Sequence, residues 1–155
     1  MRRLMHWPLL LALLSLAGCE RWALDKKMAE LCAKDGGVKV YEKVQDPKIE
    51  FSDTGGPFHR RTSKYIPEDE YYGPNYKYVV KREILIGKNA DPQKGEGRLD
   101  RVHSALYRRA DGKLLGESVL YQRGGGDFFT FGFQPSGNAC PLPDADLAQS
   151  IFVKG

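Results

Sequence analysis

From Arg21 to Lys34, apolar residues recur at three- and four-residue intervals: Trp22 or Leu24, then Met28, Leu31 and Cys32, with charges between them. That spacing predicts an amphipathic helix, and Asp35-Gly36-Gly37 ends it, because glycine accepts the left-handed conformation of a helix terminus. The period then changes to two. Val38 and Val40 alternate with Lys39 and Tyr41, giving a short strand before the Asp46-Pro47 break. Residues 52–63 are turn-rich and read as a surface loop. Tyr76 to Gly87 reads as one long strand, with Tyr78, Val80, Arg82, Ile84 and Ile86 on one face and Val79, Lys81, Glu83 and Leu85 on the other. Asn89 to Gly97 is a loop.

Arg101 to Arg109 alternates again, Ala110-Asp111-Gly112-Lys113 turns, and Leu114 to Gln122 returns. Asp-Gly between alternating segments predicts a β-hairpin, since both residues tolerate positive φ. Gly124 to Gly126 ends the second strand. Phe128, Phe129, Phe131 and Phe133 form an aromatic run expected to pack on the core, and Asp144 to Val153 predicts a short helix with Leu147, Ile151 and Phe152 on one side. The sum is an α+β domain: an N-terminal amphipathic helix on a mainly antiparallel sheet of about four to five strands.

The apolar run Leu9 to Leu16 behind Arg2 and Arg3 follows different rules. It is shorter than the roughly 18 to 20 residues of a membrane span, Pro8 interrupts its start, and small residues Ala17 and Gly18 follow. These are the n-region, h-region and cleavage site of a signal peptide over residues 1–18, leaving a single domain at 19–155. Leu16-Ala17-Gly18-Cys19 resembles the lipobox of bacterial lipoproteins, which implies diacylglyceryl transfer to Cys19, cleavage before it and acylation (palmitate) of the new amine. The resemblance implies a membrane held through its lipid. Glu20, where enterobacterial sorting uses Asp for inner-membrane retention, points to the outer membrane, facing the periplasm.

Composition narrows the class. The chain has 155 residues, 41% of them hydrophobic, with eight Tyr and seven Phe, which excludes disorder. Its 24 basic and 20 acidic side chains are interleaved, so no basic stripe invites nucleic acid. Without residues 1–18 the net charge falls from +4 to about +2. With Cys19 lipidated, Cys32 and Cys140 are the remaining thiols in an oxidising compartment, and a disulfide between them is expected; two buried free thiols are the alternative. No CxxC or HxxxH spacing is present, and neither a metal nor a cofactor is expected.

Three constellations are candidates for chemistry. Tyr65, Tyr71, Tyr72, Tyr76 and Tyr78 crowd 14 positions with two prolines, which suits a rigid recognition surface for a protein or a glycan, or a loop pinned to the sheet. Arg123-Gly124-Gly125-Gly126-Asp127 reads as an anion cradle or as a turn, but no Lys-Ser or Lys-Thr pair follows. His59 or His103 with Glu117 or Asp127 offers a general base, without a GxSxG elbow or a free thiol beside it, and no catalytic residue is assigned.

Leu31 to Val44 (LCAKDGGVKVYEKV) and Arg109 to Asp127 (RADGKLLGESVLYQRGGGD), behind the lipobox, resemble a group of small lipoproteins of Gram-negative bacteria without an assigned activity. These segments cover about a fifth of the chain. The resemblance implies a lipid-anchored, periplasm-facing domain and the Cys32–Cys140 pairing, and it carries no catalytic residue. The expected function is a non-enzymatic interaction or binding module for an envelope protein or glycan. The alternative is a peptidoglycan-directed hydrolase or an inhibitor of a cell-wall enzyme.

Overall fold

The computed structural model describes residues 19–53, 55–59, 70–127, 135–141 and 146–154, with the backbone alone for Cys19 and His59. Helix α1 spans Cys19–Asp35. Its buried stripe is a single row, Leu24, Met28 and Cys32, four residues apart, whereas Trp22 is 67% exposed. Of the two apolar positions that open the predicted pattern, Leu24 is the one the core uses. The helix stops where the Gly36 N–H donates to Cys32 O at 2.8 Å and Gly37 turns the chain at φ +119°, a conformation that favours glycine.

Strand β1 (Gly37–Val40) follows directly, then β2 (Ile49–Phe51), β3 (Pro57–His59), β4 (Tyr76–Ile86), β5 (Arg98–Arg108), β6 (Leu114–Gly124), β7 (Gly137–Cys140) and helix α2 (Leu147–Ile151). Five strands form one antiparallel sheet in the order β1-β6-β5-β4, with β7 also on β6. Strand β1 pairs with Gly116–Val119 and β7 with Tyr121–Gly124, so the two lie end to end along one edge of β6. The hairpin over Asp111-Gly112 forms where alternation and turn chemistry place it. A register shift between Leu106 and Tyr107 lets Leu115 join the core at 0% exposure.

Two expectations change. Residues 52–63 are not all loop, because Pro57–His59 pairs with Ile49–Phe51 as a second, two-stranded sheet. Strands of three residues are too short to show a period, so the pattern missed them. The alternation along β4 does not translate into one buried face either. Tyr76 is buried, but Val80, Ile84, Leu85 and Ile86 are exposed, because α1 packs on β5, β6 and β7 and α2 on β1, β5 and β6, leaving β4 at the sheet's edge. Phe128, Phe129, Phe131, Phe133 and Tyr65 lie outside the described residues.

The core is split in two. One cluster joins Leu106 and Leu115 to Ile49, Tyr72, Tyr76, Leu147, Ile151 and Phe152. The other joins Leu99, Val119 and Tyr121 to Leu24, Met28 and Cys32. Leu99 and Leu106 stand seven residues apart on β5, so the pleat sends them to opposite faces of the sheet. The sheet is therefore the middle layer, with α1 on one face and α2 with the small sheet's Ile49 on the other. A disulfide between Cys32 and Cys140, Cα atoms 5.9 Å apart and 108 residues apart in sequence, ties α1 to β7. Among the described residues, no helix is long and apolar enough to cross a membrane.

Candidate functional site

The tyrosine segment divides its labour. Tyr72 and Tyr76 are each 5% exposed and belong to the core, where Phe152 lies 5.6 Å from the first ring and 5.0 Å from the second. Burial pushes the ionisation of both phenols upward, and Tyr76 also donates its hydroxyl to Asp46 Oδ2 at 2.9 Å. Tyr71 is different: it stands 54% exposed, its ring edge-on to Tyr72 at 5.0 Å, while Tyr72 meets Tyr78 edge-on at 5.6 Å. An open groove of about 580 Å³ runs beside them, lined by Tyr71, Tyr72, Tyr78, Phe58, Ser52 and Asp146.

Three elements build this groove. Strand β3 supplies Phe58, the start of β4 supplies Tyr78, and the carboxylate of Asp146 caps α2 by accepting the Ala148 N–H at 3.1 Å. Of the tyrosines proposed from sequence as a recognition surface, Tyr71 is at the groove and exposed, Tyr72 backs it and Tyr76 lies beneath in the core. Phe58 and Asp146 were not legible as partners, because each is brought to Tyr71 only by the packing of the small sheet and α2.

The opposite face carries a chain of polar contacts. Tyr41 donates its hydroxyl to Glu117 Oε1 at 2.6 Å, and His103 Nε2 lies 2.9 Å from Glu117 Oε2. Beside them, Tyr121 donates to Asp35 Oδ1 at 2.6 Å and Arg101 Nη2 to Asp35 Oδ2 at 3.2 Å. The Tyr41 hydroxyl, followed by His103, holds the Glu117 carboxyl below its usual range, and the same carboxylate pushes Tyr41 upward. Likewise the Tyr121 hydroxyl and Arg101 hold Asp35 low. The cleft between these groups measures about 90 Å³. His103 thus meets Glu117, as the sequence allowed, and not Asp127; the side chain of His59, which ends β3, is not among those described.

The glycine run is a turn and not an anion cradle. The Gly125 N–H donates to Ser136 O at 3.0 Å and the Gly126 N–H to Gly95 O at 2.9 Å, so the amides that would hold an anion are occupied. Gly125 and Gly126 sit at φ +71° and +82°, where the chain reverses after β6. The Arg123 side chain, 1% exposed, donates to Asp25 Oδ1 at 2.7 Å, to Gly125 O and to Ser136 Oγ at 3.0 Å. Asp127 accepts from Ser136 N at 2.7 Å and Ser136 Oγ at 2.8 Å; burial raises its pKa, but these bonds bring it below the ordinary value.

Among the described residues, no group of three His, Cys, Asp or Glu side chains is placed to hold a metal ion. No protein-family model matches the chain, and neither a curated protein nor a solved structure matches it.

Proposed function

We propose that this protein is a lipid-anchored lipoprotein of the outer membrane, facing the periplasm, and a non-enzymatic binding module. The observation that carries the binding role is the exposed Tyr71 ring at the mouth of the aromatic groove, with Phe58 and Tyr78 as further ring surfaces and Asp146 and Ser52 as hydrogen-bonding groups. Rings that stack on C–H faces beside a carboxylate and a hydroxyl suit a glycan of the envelope. At about 580 Å³ the groove is of ligand size, whereas the cleft at His103 is about 90 Å³ and below it. A peptidoglycan-directed hydrolase centred on His103 would need room for a sugar ring and a carboxylate free to act, and Glu117 already accepts two hydrogen bonds.

Binding of the purified protein to peptidoglycan sacculi tests the reading. Tyr71→Ala is expected to weaken it by about 2 kcal/mol, roughly thirtyfold, the size of an aromatic hot spot. Binding that survives the change overturns the groove, and muropeptide release by the unmodified protein overturns the non-enzymatic reading. Crosslinking in intact cells that captures one dominant protein, lost with Tyr71→Ala, would replace the glycan by a protein partner. For the anchor, Cys19→Ala is expected to abolish processing and tight membrane attachment; a processed, membrane-bound Cys19→Ala protein refutes the lipobox.

A further inference from the structure

Helix α1 turns one face to the core and leaves a second row outside, and that outer row starts at the anchor position. Leu24, Met28 and Cys32 are buried. Positions 19, 22, 26, 29 and 33 follow at helical spacing on the opposite side, and 22, 26, 29 and 33 are all exposed. The row reads Trp22, Lys26, Ala29 and Ala33. Trp22, at 67% exposure, is the most exposed large hydrophobic side chain described. Lys26 has no carboxylate partner among the described residues; its ammonium lies over the Trp22 ring, 5.5 Å from the centroid. The neighbouring cations differ, since Lys27 pairs with Glu30 at 3.6 Å and Arg21 with Asp127 at 3.6 Å.

We infer that this outer row of α1 is a membrane-contact face, with Trp22 seated in the lipid headgroup layer and Lys26 reaching lipid phosphate. The inference rests on the anchor at Cys19 and goes beyond it, because it assigns an orientation to the folded domain. Three facts support it. The helix includes Cys19 itself, so no linker separates attachment point from fold. A rise of 1.5 Å per residue puts the Trp22 backbone about 4.5 Å along the axis from position 19 and on the same side of the helix, so with the axis lying along the surface the anchor and the ring meet the same interfacial layer. Tryptophan favours that layer for its apolar ring and N–H donor, and a lysine beside it packs its stem on the ring while its charge meets anionic lipid. Ala29 and Ala33 continue the row with small side chains, letting the helix lie close to the surface. Held this way, the domain rests on the lipid and keeps α2 and the Tyr71 groove, on the far face of the sheet, turned toward the periplasm.

The test uses the full chain, purified in the form the cell produces and reconstituted in vesicles of equimolar phosphatidylethanolamine and phosphatidylglycerol. The sequence holds two tryptophans, Trp7 and Trp22, so emission from a Trp22→Phe protein is subtracted to isolate Trp22. The mass of the protein and its partition into detergent report the anchor separately. The expected reading is a Trp22 emission shifted to shorter wavelength and lost when the lipids carry bromine on the upper acyl chain, with Lys26→Glu moving the emission back toward that of water. A lipidated protein whose Trp22 emits as in water and resists brominated lipid overturns the face while leaving the anchor standing. An unmodified Cys19 overturns the anchor; vesicle binding that Trp22→Ala then abolishes supports the face by itself, and no binding overturns it as well.

Discussion

The Nε of Arg123 donates to Asp25 Oδ1 at 2.7 Å, linking the end of β6 to the first turns of α1 across 98 residues of sequence. The Arg123 side chain is 1% exposed and the Asp25 side chain 29%. Removing the acid leaves a desolvated cation with only carbonyl and hydroxyl acceptors. Asp25→Ala is therefore expected to cost about 2 to 3 kcal/mol, below the value for a fully buried pair because one partner is wet. Urea unfolding measures it, and a change under 0.5 kcal/mol would show that the remaining acceptors suffice.

Gly116 marks the place where α2 presses on the sheet. A Cβ built there would lie 2.8 Å from Ile151 Cδ1 and 2.8 Å from Lys39 O, and the second is backbone that has little freedom to move. Gly116→Ala should lower stability by about 1 to 3 kcal/mol through overpacking. Gly112→Ala fills open space but meets a backbone at φ +68°, so it separates strain from crowding. Equal losses at the two sites would argue that crowding at Gly116 is relieved by local shifts.

The Cys32–Cys140 bridge closes a 108-residue span. In the chain-entropy account a loop near that length is worth about 4 to 5 kcal/mol. Cys32→Ser and Cys140→Ser should each reduce stability by a similar amount, since each removes the same bond, and the double variant should be no worse than either single one. Thermal unfolding under non-reducing conditions decides it; a double variant far below both singles would mean that the sulfur atoms contribute mainly by packing.

Acid should destabilise the protein. Arg108 holds the Asp111 carboxyl down from 3.8 to about 2, and hydrogen bonds hold Asp35, Glu42 and Glu117 below their ordinary values. A carboxyl with a lower pKa in the folded state binds fewer protons there than in the unfolded chain. Its contribution is present above the unfolded pKa and is lost as the pH falls through the folded one, a window running from about pH 5 to about pH 2. The denaturant midpoint should thus fall steadily from about pH 5 to about pH 2, and a flat profile would contradict these shifts.

Much of this architecture was written locally. The hairpin over Asp111-Gly112 was readable because alternation and a turn dipeptide act between neighbours, and α2 because Leu147, Ile151 and Phe152 fall on one side of a short segment. The partnership of Cys32 and Cys140 followed from counting thiols rather than from geometry. Other features had no local signal. Whether Trp22 or Leu24 would enter the core depended on where β5 and β6 present Leu99, Val119 and Tyr121. The short strands around Ile49 and Pro57 exist because they pair with each other, and the far half of β4 is exposed because both helices pack elsewhere on the sheet. The contacts that build the polar cluster and the aromatic site join residues far apart in sequence: Tyr41 with Glu117, Asp35 with Tyr121, Tyr72 with Phe152. A sequence period reports which side of one element is apolar, since that depends on the element alone. Which distant element arrives to cover that side is a matter of burial and hydrogen-bond satisfaction summed over the whole chain, and only the packed fold decides it.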